Sequence, residues 1–141
     1  MKLYFDTSAL IKKYISEPGS ENVDKLLLSS TEVFISAIGQ IETISSFRRL
    51  LFEKEISDND YANLSKEASK DFDYFNIIDL SQDVTESAVK AIDKYQLKTL
   101  DSIHLGSALI LKDEIDFFVS CDNKLLNAAK KEGFKVVNPR D

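Results

Sequence analysis

Short unbroken apolar runs alternate along this chain with longer stretches in which apolar residues recur every three or four positions. Leu3-Tyr4-Phe5 is the first run, suited to a strand buried on both faces, with Asp6 where that strand should end. Behind it, Ala9, Leu10, Ile11 and Tyr14 fit a helix that Pro18-Gly19 stops, and a second helix is predicted from about Ser20 to Ser29. Val33-Phe34-Ile35 reads as the next strand. From Ile38 to about Lys54, the positions Ile38, Ile41, Ile44, Phe47 and Leu51 predict a helix with Glu42 beside the apolar stripe. A mixed helix over Asp58 to Tyr74, a short strand at Ile77-Ile78 and a helix from Asp83 to Tyr95 follow. Thr99-Leu100-Asp101 opens a further helix through Ile103, Leu105, Ala108, Leu109 and Leu111, with Thr99 as its cap and Asp101 in its first turn, where the helix dipole favours an anion. Phe117-Phe118-Val119 is a strand, Leu125, Leu126, Ala128 and Ala129 mark a helix stopped by Gly133, and Phe134 to Val137 forms the last strand before Pro139.

Strands alternating with helices predict an α/β fold whose central, mostly parallel sheet of four to five strands carries helices on both sides. The chain's 141 residues suit a single domain over residues 1–141, and 43% apolar with 30% charged residues suits a packed core. Eighteen Lys and Arg against 24 Asp and Glu give a net charge of -6, which excludes a uniformly basic nucleic-acid binder but leaves local cationic patches and metal-bridged phosphate open. Cys121 is the only cysteine, so a disulfide framework and a multi-cysteine metal site are excluded and the interior of a cell is the expected compartment. Asp6 interrupts the first apolar stretch, and neither an export signal nor a membrane segment is expected; the protein is read as cytoplasmic.

In open parallel sheets, ligands bind beyond the carboxyl ends of the strands, and Asp6 and Asp122 each follow an apolar strand there. Adding Asp101 from a helix start and Glu42 from a helix flank would concentrate four carboxylates, which repel unless they are protonated or neutralised by cations. All-oxygen ligands favour hard ions, so Mg²⁺ or Mn²⁺ is expected rather than zinc. Such an ion polarises a phosphodiester and acidifies an attacking water, which is the chemistry of a nuclease. Each residue also has a plainer reading: Asp6 and Asp122 as helix caps, Asp101 as a dipole partner, Glu42 as a solvated residue two turns from Arg49. His104, one turn after Asp101, is read as structural, and Cys121 as a packed residue. Among the cations, Arg48, Arg49 and Lys124 lie near the acidic elements in sequence and are the candidates for gripping RNA.

At these residues the chain resembles the PIN-domain family, and within it the VapC-type ribonuclease toxins of toxin-antitoxin pairs. The likeness is carried by Leu3-Tyr4-Phe5-Asp6-Thr7-Ser8-Ala9-Leu10, by Glu42, by Leu100-Asp101-Ser102-Ile103-His104-Leu105 and by Ser120-Cys121-Asp122-Asn123-Lys124-Leu125, with Ala128-Ala129, Gly133, Val136 and Pro139 continuing it. It implies a PIN-like α/β/α sandwich and a Mg²⁺- or Mn²⁺-dependent endoribonuclease that cuts single-stranded RNA to leave a 5′-phosphate and a 3′-hydroxyl. By the same resemblance Asp6, Glu42, Asp101 and Asp122 form the acidic quartet, with Asp6 and Asp101 as direct ligands, while Ser8 and Ser120 stand near the metal or the scissile phosphate. A homodimer and a cognate antitoxin are implied as partners.

Two other functions compete. A haloacid-dehalogenase-like phosphatase also begins with a strand ending in Asp, but Ser8 stands where that family has its second Asp. A catalytically silent PIN-like module would bind RNA or protein only, although four clustered carboxylates make poor sense without a cation. The glycine-rich and nucleophile-elbow signatures of NTPases, dinucleotide enzymes and serine hydrolases are missing.

Overall fold

The computed structural model describes residues 1–141. Strand β1 (Lys2–Phe5) lies at the centre of a five-stranded sheet of order β3-β2-β1-β4-β5, the others being β2 (Glu32–Ser36), β3 (Asn76–Ile78), β4 (Phe117–Val119) and β5 (Lys135–Val137). Every neighbouring pair is parallel. Parallel strands need crossovers, and the helices that supply them cover both faces of the sheet, so Leu3-Tyr4-Phe5 of β1 is apolar without interruption and fully buried. Leu3 and Phe5 point to one side with Val33, Ile35 and Val119; there they pack on α1 (Thr7–Leu10), α2 (Ser20–Ser29), α3 (Ala37–Phe52) and α4 (Asp58–Tyr74). Tyr4 points to the other side with Phe34, Ile78 and Phe118, against α5 (Gln82–Tyr95), α6 (Thr99–Ile110) and α7 (Asn123–Lys131). The result is the three-layer sandwich expected, with five strands.

The order of the strands places the site. From β1 the chain moves outward through β2 and β3, then crosses back to build β4 and β5 on the opposite side. The direction therefore reverses between β1 and β4, and a crevice opens beyond their carboxyl ends. Register makes this junction tight: Phe5 pairs with Val119, and the Asp6 N–H donates to the Val119 carbonyl at 3.1 Å. Asp6 and Ser120 thus leave the sheet side by side.

Several boundaries differ from the periodicity. The first helix stops at Leu10 and tightens into a 3₁₀ turn over Ile11–Lys13. Thr99 is not the cap of α6; extended Lys98 holds that position without a side-chain bond, and Thr99 already lies in the first turn. Phe134 precedes β5, because its N–H closes the end of α7 on the Ala129 carbonyl at 3.1 Å while its ring is buried. The apolar stripe expected on α3 is only partly the buried one. Ile38 and Phe47 of the expected stripe are buried, but the face between them is made by Gly39 and Thr43, whereas Ile41 is 70% exposed. On the far face, α5 and α6 approach so closely that a Cβ on Gly106 would stand 2.8 Å from the Ala88 nitrogen. No helix is long and apolar enough to cross a membrane.

Candidate active site

Asp6 is the fixed point of the crevice. It caps α1 by accepting the Ala9 N–H at 3.1 Å, so its plainer sequence reading is correct as far as it goes. A simple cap is exposed, however, and Asp6 is only 3% accessible. Its two oxygens also accept hydroxyls: Ser8 Oγ donates to Oδ1 and Ser120 Oγ to Oδ2, each at 2.7 Å. Both serines in turn accept a backbone N–H from the β4–α7 turn, Cys121 on Ser8 and Asp122 on Ser120, each at 3.0 Å. Each hydroxyl has one proton, and each spends it on Asp6. Ser8 and Ser120 therefore clamp this carboxylate. Burial pushes the Asp6 carboxyl up from its ordinary range, against the lowering effect of His104, Ser8, Ser120 and the Ala9 N–H.

Glu42 enters from α3. Its Oε1 accepts the Thr7 hydroxyl at 2.8 Å and lies 2.7 Å from His104 Nε2. Partial burial raises its carboxyl, but the hydrogen bonds from His104 and from the Thr7 hydroxyl outweigh that and hold it below the ordinary value. Glu42 is thus not a solvated partner of Arg49. Both residues line a groove of about 760 Å³ with Thr7, Ser8, Ile38 and Leu100.

Asp101 lies in the first turn of α6, as expected, and its carboxylate takes no hydrogen bond from the protein. Its carboxyl is pushed up, first by burial, then by the charges of Asp122 and Asp6, with His104 opposing and Glu42 adding a smaller push. Repulsion of this kind fades with distance in a screened medium, so these carboxylates lie within electrostatic reach of Asp101. Asp122 caps α7, its Oδ1 accepting the Leu125 N–H at 3.0 Å, and its Oδ2 has no protein partner.

The cations divide. Lys124 is committed to the Gln96 carbonyl at 2.9 Å, and Arg48 lies over the rings of Phe52 and Tyr61 at 4.9 and 5.6 Å, away from the acids. Arg49 alone of the three candidates lines the groove with Glu42. Cys121 is packed, its thiol pushed up chiefly by burial, which leaves it a poor nucleophile.

No three Asp, Glu, His or Cys side chains stand close enough to hold one ion between them directly. The donors nevertheless suit a hard cation. They are carboxylate oxygens throughout, and Asp101, Glu42 Oε2 and Asp122 Oδ2 are free of protein hydrogen bonds. Asp101 and Asp6 are the side chains that would hold such an ion, and it would supply positive charge among the four acids.

The PIN domain family model matches residues 3–131. The chain belongs to the PIN-domain family. This PIN domain is 29% identical over 137 residues to Ribonuclease VapC47 of Mycobacterium tuberculosis, covering 97% of this chain and 96% of that protein. Among solved structures it is similar to FitAcB of Neisseria gonorrhoeae, with a TM-score of 0.76 at 18% identity over 97% of both chains. It is also similar to a chain of a toxin-antitoxin complex from Klebsiella pneumoniae, with a TM-score of 0.71 at 22% identity over 97% of both. Membership in this family displaces the phosphatase reading, and the geometry agrees: Ser8, where a second Asp would stand, is occupied in restraining Asp6. What the sequence reading missed in this PIN domain is the layer beneath the acids, in which Thr7, Tyr4 and His104 hold Glu42. The available signal was His104 falling one turn after Asp101 on the same helical face.

Proposed function

We propose that the protein is a divalent-metal-dependent endoribonuclease acting on single-stranded RNA, and the toxin of a toxin-antitoxin pair. The observation that carries this reading is Asp101: a half-buried carboxylate without a protein hydrogen-bond partner at the crevice where the sheet reverses direction, raised first by burial and then by the charges of Asp122, Asp6 and Glu42. Such repulsion costs folding free energy and is relieved by a cation. Mg²⁺ or Mn²⁺ in this position supplies charge against phosphate oxygens and acidifies a water molecule. The chain's own residues do the rest. Asp6 is immobilised by two hydroxyls and a backbone N–H, so little reorganisation accompanies binding. Arg49 offers a guanidinium to phosphate at the groove edge, and Ile41 and Leu100, 70% and 49% exposed, offer apolar surface to unpaired bases. With a net charge of -6, the protein repels RNA on the whole, and a cation in the crevice offsets that repulsion at the site. The name of the mycobacterial relative supports the substrate class.

A protein partner is supported by a second groove of about 890 Å³ between α3 and α4, where Ile41, Ile44, Phe52, Tyr61 and Phe72 lie beside Arg48 and Arg49. Phe52 is 74% exposed, unusual for so large an apolar side chain. A cognate antitoxin and a second copy of this chain are the two partners to be tested there, by size-exclusion chromatography of Phe52→Glu with and without the product of any adjacent small reading frame.

The catalytic test is incubation of purified protein with end-labelled single-stranded RNA. Cleavage that requires Mg²⁺ or Mn²⁺, stops in EDTA and falls at least about a hundredfold in Asp101→Asn supports the reading. Undiminished cleavage in chelator contradicts it, and RNA binding without cleavage in any metal favours the silent module.

A further inference from the structure

His104 is 2% exposed and is the only histidine in the chain. Its ring joins two elements. Nε2 lies 2.7 Å from Glu42 Oε1 on α3, and Nδ1 lies 2.8 Å from the hydroxyl of Tyr4 on β1. Tyr4 is itself wholly buried, stacked on Phe118 at 5.1 Å and meeting the imidazole edge-on at 6.1 Å, so its ring is fixed with the hydroxyl beside Nδ1. The proton inventory follows from the groups present. An ionised carboxylate can only accept, so the hydrogen between ring and Glu42 belongs to Nε2. In a neutral ring Nδ1 then carries the lone pair, and the Tyr4 O–H, a phenol with one proton to give, fills it. Thr7 donates to the same Glu42 oxygen at 2.8 Å. Both donors fall on Oε1, and Oε2 is left without a protein partner.

We propose that His104 is a positioning residue for Glu42: fixed by Tyr4 as the Nε2–H tautomer, it pins Oε1 and reserves Oε2 for the cation of the acidic cluster. The cation part rests on the nuclease reading above; the tautomer does not. A purely structural histidine would support the fold and leave metal affinity alone. A positioning residue changes metal affinity by about 10–100-fold when its hydrogen bond is lost, and a substitute that restores the donor restores affinity.

The ring is tested first in tag-free, metal-free protein by long-range ¹H–¹⁵N correlation, where a single histidine gives an unambiguous assignment. Protonated Nε2 with unprotonated Nδ1 supports the proposal; the opposite tautomer, an averaged ring or a doubly protonated ring overturns it. Mn²⁺ binding is then titrated by electron paramagnetic resonance in wild type, His104→Leu, His104→Gln and Tyr4→Phe. Binding about 10–100-fold weaker in His104→Leu, with most of it regained in His104→Gln, supports positioning. Wild-type affinity in folded His104→Leu overturns it while the nuclease reading stands. Should His104→Leu fail to fold, Tyr4→Phe decides: weaker binding together with loss of the single tautomer supports the proposal, and unchanged binding overturns it. Should wild type bind no Mn²⁺, the nuclease reading and the cation part of this proposal fall together, and the ring spectrum still judges the tautomer.

Discussion

Asp6 and Asp101 are the same side chain in opposite circumstances. Asp6 is buried with donors on both oxygens; Asp101 is half-buried with none and faces like charges. Both carboxyls are raised, so between their ordinary pKa of 3.8 and the raised folded value the native state holds more protons than the unfolded chain. Stability contributed by these groups therefore falls as pH rises through that window and stays lost at neutral pH. Asp101→Asn removes one source of that fall. In EDTA its melting temperature should exceed that of wild type by a margin that grows from about pH 4 to about pH 7, as measured by calorimetry across that range. A variant less stable than wild type at neutral pH would mean that Asp101 is not repelled. Asp6, Asp101 and Asp122 stand out in the sequence because each follows an apolar strand or opens a helix, positions that local pattern reveals, whereas Glu42 lies inside α3. The clamp on Asp6 was not, since Ser8 and Ser120 meet through the β1–β4 register, a pairing of residues 112 positions apart.

At the level of elements, the strands were the easiest part to read. Unbroken runs such as Leu3-Tyr4-Phe5 and Phe117-Phe118-Val119 have few other uses in a chain this short. Helix α3 shows where reading by hydrophobicity fails. Ile38 and Phe47 face inward as the pattern predicts, but between them the inward face uses Gly39 and Thr43, small residues that admit close packing and let Thr43 Oγ1 donate to the Gly39 carbonyl at 2.7 Å, while the larger Ile41 and Phe52 point outward. Size chose the face there, and only the three-dimensional neighbours reveal it. The α5–α6 contact depends on size in the same way. Gly106→Ala would press a methyl group against the Ala88 and Val84 backbone, at 2.8 and 3.0 Å, and backbone cannot step aside as a side chain can. Urea unfolding should show a loss of about 1–3 kcal/mol. A variant as stable as wild type would show that α5 and α6 separate more easily than their packing implies. Because α6 also carries Asp101 and His104, the same variant should bind Mn²⁺ more weakly.

For the molecule as a whole, the proposed RNA substrate has to be reconciled with a surplus of negative charge, and a cation between the two does so. The excess of acids was plain from composition, and so was the exclusion of bulk phosphate binding. That four of those acids gather in one crevice depends on a topology in which β1 is central and the chain reverses beside it. A site that stores repulsion in the free protein should convert it into affinity, and saturation should stabilise the fold by about 2.7 kcal/mol at a metal concentration near a hundred times Kd. The most direct measurement is calorimetric titration of metal-free protein with Mn²⁺, wild type beside Asp101→Asn, with thermal melts at the start and end of each titration. Saturable binding with a raised melting temperature in wild type, both absent in Asp101→Asn, is the predicted result. Equal binding and equal stabilisation in the two proteins would contradict the account.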